Sequence, residues 1–222
     1  MARLGSNAPV RPLRTSRRSL TGRIALEGAG TASFESSLER DWLVLLDFDP
    51  RVQDVEVQPF TLTHEHAGKL RRYTPDVLAR FRAEDGEVLT IVYEVKPRDE
   101  LVSHWPEYRP RFKAAFRHCN ERNWRFKIVT ERHIRTARLD NAHFLRRYRT
   151  LPDNQLAQQQ LLYTMRALGA TTPQALLAAS YWAQESQMAT LPVLWQLVAS
   201  RQIETQLDLP LTMSSPIWLP KA

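Results

Sequence analysis

Cysteine, glycine and long apolar runs are scarce in this chain of 222 residues. The single cysteine, Cys119, excludes an internal disulfide framework and a cysteine-based zinc site. No apolar run approaches the roughly eighteen residues of a membrane span, and no signal-peptide core follows Met1. Glycine-rich phosphate-binding patterns and the turn that presents a catalytic serine are also absent. We therefore expect a cytoplasmic protein without membrane segments.

Acidic residues are missing from the first part of the chain. The first 23 residues contain six arginines and no acid, and the whole chain has a net charge of +7. Two interpretations of this basic arm (residues 1–23) remain open: a disordered, solubilising tail, or a segment that folds onto a nucleic-acid backbone and releases counterions. The second interpretation predicts DNA binding by five of its residues: Arg11, Arg14, Arg17, Arg18 and Arg23.

The clearest pattern that is present lies in the middle of the chain. Residues 76–82 and 88–96 are β-rich runs joined around Asp85-Gly86, which is a strong hairpin signal. Helical spacing of apolar residues predicts a helix over 34–47, with Ser36 and Glu39 spaced as a capping box.

After the hairpin, a helix is predicted over 106–122 and a strand over 124–130. A right-handed crossover would make this strand parallel to the second hairpin strand. Residues 24–150 are therefore predicted to form an α/β domain with a mixed sheet flanked by helices.

The final third differs in composition, since residues 151–222 contain only three basic and four acidic side chains. Three helices are expected there, with Gly169 at a C-cap and Thr172-Pro173 opening the second helix. Two short β-like stretches follow, near 203–207 and 216–219. This order predicts a small winged-helix-like domain over 151–222.

Three residues of the hairpin suggest chemistry. Residues i and i+2 of a strand face the same side, so Glu94 and Lys96 project together while Val95 points into the core. Hairpin pairing brings Asp76 beside them. Oxygen ligands of this kind suit Mg²⁺, with Mn²⁺ able to substitute, and metal-bound carboxylates next to an ammonium are suited to cutting a phosphodiester. Pro-Asp and Glu-x-Lys are each common on protein surfaces without any function. The apolar residues that flank Glu94, however, indicate a buried strand.

A helical carboxylate could complete the site. Glu39 is the better candidate and Glu35, one turn earlier, the weaker one; the residues alone also allow both to lie on a solvated helix face. His64 and His66 form an H-x-H pattern that allows a metal site but favours a solvent-facing strand.

These residues resemble a known family. Pro75-Asp76 with Glu94-Val95-Lys96 matches the PD-(D/E)xK signature of restriction-endonuclease-like nucleases. The stretches at 34–41, 45–50 and 57–59 make the chain similar to TnsA, the endonuclease subunit of heteromeric transposases, including CRISPR-associated ones. The similarity covers about residues 12–135.

The resemblance implies a function, partners and site residues. It implies Mg²⁺-dependent cleavage of the 5′ strand at transposon ends, beside a TnsB-like DDE transposase and a TnsC-like AAA+ ATPase. It assigns catalysis to Glu39, Asp76, Glu94 and Lys96, and metal binding to Asp76, Glu94, Val95 and Glu39. A stand-alone restriction or repair nuclease and a non-catalytic winged-helix DNA-binding regulator remain the alternatives.

Overall fold

The computed structural model describes residues 22–26, 30–83 and 85–220. The chain divides into two compact units, residues 1–135 and 136–222. The strands of the first unit are β1 (Gly22–Leu26), β2 (Gly30–Phe34), β3 (Val52–Val57), β4 (Leu62–His66), β5 (Lys69–Tyr73), β6 (Val77–Arg82), β7 (Val88–Val95) and β8 (Arg125–Val129). Its helices are α1 (Ser37–Phe48), α2 (Arg98–Ser103), α3 (Trp105–Asn120) and α4 (Glu131–Ile134).

A four-stranded mixed sheet forms the centre of the first unit. Its strand order is β3-β6-β7-β8, in which β7 and β8 run parallel and the other neighbours are antiparallel. Gly86 adopts a φ of 85° in the β6–β7 turn, a backbone conformation that glycine enters without a side-chain penalty. The predicted hairpin, the parallel crossover and the mixed α/β core are therefore confirmed.

Helices cover both faces of this sheet. Val92 of β7 packs with Leu78 and with Cys119 of α3, whereas the ring of Tyr93 meets Trp42 of α1 at 4.9 Å. Successive strand residues point to opposite faces, so β7 has α3 on one side and α1 on the other. Glu94 consequently points to the α3 side.

Two hairpins accompany the sheet, β1 with β2 and β4 with β5. The β4–β5 turn needs positive φ at Ala67 (52°) and Gly68 (70°). The expected helix over 34–47 begins later, at Ser37, because Phe34 belongs to β2. Ser36 is the N-cap, and its hydroxyl accepts a hydrogen bond from the Glu39 N–H; the predicted cap is confirmed.

The second unit is mostly helical. It contains α5 (Ala137–Arg149), α6 (Gln155–Leu168), α7 (Pro173–Ser180), α8 (Gln184–Ala199), β9 (Glu204–Thr205) and β10 (Ile217–Trp218). Gly169 is the C-cap of α6 and Thr172 the N-cap of α7, both as expected. None of the helices in the described part of the chain is both long and apolar enough to span a membrane.

The structure divides the chain at residues 135/136, earlier than the expected boundary at 150. The reason is α5, which packs in the second unit. Phe144 of α5 meets Trp195 of α8 at 5.3 Å between ring centroids, and the Asn141 amide donates to the carbonyls of Leu207 and Leu209. Through these contacts α5 belongs to the second unit rather than to the first.

The β elements of the second unit are short. β9 pairs antiparallel with β10, and Thr171, between α6 and α7, forms a bridge to Ile217. The order of these elements is α6, the Thr171 bridge, α7, α8, β9 and β10. This order is compatible with a winged helix, which stays a prediction.

Candidate active site

Asp76, Glu94 and Lys96 meet at one end of the central sheet. Val77, the first residue of β6, lies opposite Tyr93 of β7 in an antiparallel pair, so Asp76, the residue before β6, lies at the level of Glu94. The Asp76 Oδ2 accepts a hydrogen bond of 2.7 Å from the Val95 N–H. The Lys96 Nζ lies 3.7 Å from the Asp76 Oδ2 and 3.6 Å from the Glu94 Oε1. The structure thus brings together the three residues that the sequence singled out.

The Lys96 ammonium is surrounded by oxygen atoms. Besides the two carboxylates, its Nζ donates to the Val95 carbonyl at 3.2 Å. Burial lowers the pKa of Lys96, but the charges of Asp76, Glu94 and Glu39 outweigh burial and raise it above its ordinary value. The Lys96 ammonium beside these carboxylates can stabilise negative charge.

Glu94 is almost completely buried, with 2% of its surface exposed. The Tyr73 hydroxyl donates to its Oε2 at 2.6 Å, and the Arg111 guanidinium lies 3.3 Å from its Oε1. Burial, followed by the charge of Asp76, raises the pKa of Glu94 to about 7. The carboxylate is thus held in one orientation by groups from β5 and α3.

Sequence reasoning missed Tyr73 and Arg111. A signal existed for Arg111, because it shares α3 with Phe112 and Ala115, which pack with Tyr73 in one buried cluster. A charged residue beside the inward face of a helix calls for a buried partner, and here that partner is Glu94. For Tyr73 no pattern in the chain separates it from an ordinary core tyrosine.

Glu39 reaches the site from the start of α1. Its carboxylate accepts hydrogen bonds from the Glu35 N–H at 2.8 Å and from the Ser36 hydroxyl at 3.1 Å. Burial, and then the charge of Asp76, raises the pKa of Glu39 to about 7, while Lys96 acts in the opposite direction. Glu39 therefore interacts electrostatically with both Asp76 and Lys96 of the sheet.

Glu35 lies nearby but has a different partner. The Gln58 side-chain amide donates to the Glu35 Oε1 at 3.1 Å. Glu35, Glu39 and Lys96 all line a cavity of about 640 Å³. The charges of Asp76 and Lys96 both act on Glu39.

Polar contacts with Arg135 and an aromatic contact with β7 hold α1 in place. The Arg135 side chain, just after α4, lies 3.4 Å from the buried Asp41 and donates to the Ser37 hydroxyl at 3.1 Å. On the other side, Trp42 packs against Tyr93. These contacts determine how far the first turn of α1 stands from β7, and hence where Glu39 lies.

Comparison with known families identifies this part of the chain. Residues 49–131 match the family model described as TnsA-like endonuclease N terminal. The resemblance to TnsA is confirmed. The match supports a nuclease of Tn7-like transposition and implies a role with DNA in a transposase complex. No curated protein matches the chain.

The TnsA-like segment contains Asp76, Glu94 and Lys96 but begins after Glu39. The match therefore leaves the choice of Glu39 over Glu35 to the geometry described above. It likewise leaves the roles of the individual residues as predictions.

The oxygen atoms at this site fit a small divalent cation. In the described residues no group of three or more histidine, cysteine, aspartate or glutamate side chains is arranged to hold a metal ion. However, the Asp76 and Glu94 carboxylates and the Val95 carbonyl converge on one positive charge, the Lys96 ammonium. Hard oxygen donors of this kind are those that Mg²⁺ prefers. Burial, followed by the charge of Asp76, raises the pKa of both Glu39 and Glu94, although Lys96 acts in the opposite direction.

Of the five arginines of the basic arm that are expected to bind DNA, one lies within the described residues. Arg11, Arg14, Arg17 and Arg18 lie outside the described residues. Arg23 is exposed on β1. DNA binding by these arginines stays a prediction.

Proposed function

We propose that the chain is the metal-dependent DNA endonuclease subunit of a heteromeric transposase, cutting the 5′ strand at transposon ends during cut-and-paste transposition. The observation that supports this most strongly is the meeting of Asp76, Glu94 and Lys96 inside the segment that matches the TnsA-like model. Its partners would be a TnsB-like DDE transposase, a TnsC-like AAA+ ATPase and double-stranded DNA.

The ligands of the metal would be the oxygens around the Lys96 ammonium. Asp76, Glu94 and the Val95 carbonyl would hold the ion, and Glu39 would add an outer carboxylate. Held by these residues, Mg²⁺, or Mn²⁺ in its place, would supply polarisation of a scissile phosphate and stabilisation of the leaving oxygen. The Val95 N–H orients Asp76, and Tyr73 and Arg111 orient Glu94.

Lys96 would act on the attacking water. Because its pKa is raised, it remains a cation at neutral pH. An ammonium beside the scissile phosphate would orient the water through hydrogen bonding and stabilise the negative charge that develops in the transition state. The proton of the water would leave to bulk solvent or to the phosphate, not to Lys96.

Residues 151–222 are better suited to protein partners than to DNA. A winged helix enters DNA with a basic face, yet residues 151–222 contain more acidic than basic side chains. Large apolar side chains are also exposed there, among them Leu156 and Trp182. We assign residues 151–222 to contacts with the transposase or the ATPase.

A stand-alone restriction or repair nuclease is the second candidate. The observation in its favour is Glu94 itself, since some TnsA members carry glutamine at this position and a carboxylate is the fuller metal ligand. Such an enzyme would not need partners for activity.

One experiment distinguishes these functions. The purified chain is incubated with plasmid carrying transposon ends and Mg²⁺, with and without a TnsB-like transposase and a TnsC-like ATPase. Cleavage of the 5′ strand only with partners supports the transposase subunit, and robust cleavage without them supports the stand-alone nuclease. Asp76→Ala should abolish cutting in either case; unchanged function would favour the non-catalytic regulator.

A further inference from the structure

A second cavity of the first unit lies between the β4–β5 hairpin and α3. Its volume is about 620 Å³. Most of the side chains that line it are basic: His64, His66, Arg71, Arg72 and Arg111, against the single acid Glu107. We call this cavity the hairpin pocket.

The strand register explains why basic groups gather there. His64 of β4 lies opposite Arg71 of β5, and Leu62 lies opposite Tyr73. Leu62 and Tyr73 pack with Phe112 of α3 in a buried apolar cluster. Residues two positions apart in a strand face the same side of it. His64 and Arg71 are each two positions from the Leu62–Tyr73 pair, so they lie next to this apolar cluster and beside α3.

Two nitrogen atoms of the hairpin pocket have no hydrogen-bond partner although they are buried. They are the Arg111 Nε and the His64 Nδ1. A buried polar atom without a partner costs free energy, about 1–3 kcal/mol for a typical group. Burial lowers the pKa of His64, and the charges of His66, Arg111 and Arg71 lower it further. The pocket therefore has a positive potential and unsatisfied nitrogen atoms, which an anion with several oxygen acceptors would satisfy.

Arg111 connects the hairpin pocket to the candidate active site. Its guanidinium stacks on the Tyr108 ring at 3.9 Å and lies 3.3 Å from the Glu94 Oε1. Arginine presents five N–H donors in a planar fork, so Arg111 can contact Glu94 through one donor while other donors, among them the Nε–H that has no hydrogen-bond partner, are not used by Glu94. An anion in the pocket would consequently lie one side chain away from Glu94.

We propose that the hairpin pocket binds a backbone phosphate of the DNA substrate, close to the phosphate that is cut. The proposal rests on the proposed nuclease function. The pocket's positive charge, its unsatisfied nitrogens and its link to Glu94 each favour a phosphodiester. A phosphate held there would fix the register of the duplex on the active site without reading its sequence.

The test compares two double variants of the full-length chain. Arg71→Ala/Arg72→Ala removes two exposed positive charges from the hairpin pocket, and Arg125→Ala/Lys127→Ala removes two exposed charges from β8, away from it. Affinity for a double-stranded oligonucleotide is measured by fluorescence anisotropy in Ca²⁺ at several salt concentrations. We expect the first variant to bind at least about tenfold more weakly, with a shallower salt dependence, and the second to change less than about twofold.

Two results would overturn the proposal. Equal losses in both variants would mean that only net charge matters. Unchanged DNA affinity in the first variant, together with loss of the thermal stabilisation that inorganic phosphate gives the wild type, would mean a site for free phosphate. Strand cleavage by the wild type with Mg²⁺ and partners is measured separately, so a failure of the nuclease function is recognised independently of the affinity comparison.

Discussion

Removing the Tyr73 hydroxyl tests whether the surroundings of Glu94 matter for activity. Tyr73→Phe deletes one oxygen atom, the donor of the 2.6 Å hydrogen bond to the Glu94 Oε2, and leaves the ring in its cluster with Phe112. Burial, and then the charge of Glu94, raises the pKa of Tyr73 well above its ordinary value, so the wild-type hydroxyl keeps its proton and always donates. The change therefore isolates one contact.

The magnitude follows from the burial of Glu94. A hydrogen bond to a charged group contributes about 1.5–3 kcal/mol, and about 1.4 kcal/mol corresponds to a tenfold change in an equilibrium constant. Without the Tyr73 donor the charged form of Glu94 is less stable, and its pKa rises further. We expect metal affinity and cleavage at low Mg²⁺ to fall about 10–100-fold, as is typical when a partner of a metal ligand is removed.

The assay is strand cleavage with partners as a function of Mg²⁺ concentration and pH. Tyr73→Phe should shift the metal dependence to higher concentration and move the acidic limb of the pH profile upward, while the rate at saturating Mg²⁺ approaches that of the wild type. Tyr108→Phe is the matched control. It also removes a hydroxyl bonded to a carboxylate, that of Glu100, but this pair is less buried than Glu94.

Two outcomes would refute this reasoning. Identical metal and pH profiles for Tyr73→Phe and Tyr108→Phe would show that the buried hydrogen bond does not orient a metal ligand. A loss of cleavage that saturating Mg²⁺ does not restore, with unchanged metal affinity, would assign Tyr73 to a different step.

Three further predictions concern the same site. Lys96→Ala should leave DNA and metal binding in place but slow cleavage on the order of a hundredfold or more, as measured by strand cleavage beside anisotropy; loss of DNA binding would contradict its role. Ser36→Ala should lower the free energy of unfolding in urea by about 1 kcal/mol, because the N-cap of α1 is lost, whereas Ser37→Ala should cost less. The metal-free protein should melt at lower temperature as pH rises from about 5 to 8. In the folded state Glu39 and Glu94 each have a pKa of about 7, whereas in the unfolded chain each has the ordinary value of 4.5, so folding becomes less favourable as the pH rises through this window. Glu94→Gln should flatten that fall, and an equally steep fall in this variant would contradict the pKa shift.

The central hairpin could be predicted because its signals are local. Asp85-Gly86 fixes the turn, and the turn fixes the register that places Asp76 beside Glu94. The N-cap of α1 is local in the same way, since the Ser36 hydroxyl accepts from the N–H of Glu39, three residues away.

The surroundings of the site could not be predicted, because they depend on contacts between distant residues. Arg111 reaches Glu94 across 17 positions and Tyr73 reaches it across 21. A strand at His64 and His66 was expected and is confirmed as β4, but β5 and its pairing with β4 were not predicted. β5 has only Leu70 and Tyr73 as apolar residues, and Leu70 is exposed, so no alternation of polar and apolar residues marked the strand.

Strand-specific cleavage of transposon-end DNA tests the central claim most directly. The full-length chain and its Asp76→Ala variant are each incubated with end-labelled DNA, Mg²⁺, a TnsB-like transposase and a TnsC-like ATPase. We predict that the wild type cuts the 5′ strand, that the variant loses on the order of a thousandfold or more in rate, and that chelation of the metal abolishes cutting. Unchanged 5′-strand cutting by Asp76→Ala, or cutting by the wild type without any divalent metal, would contradict the account.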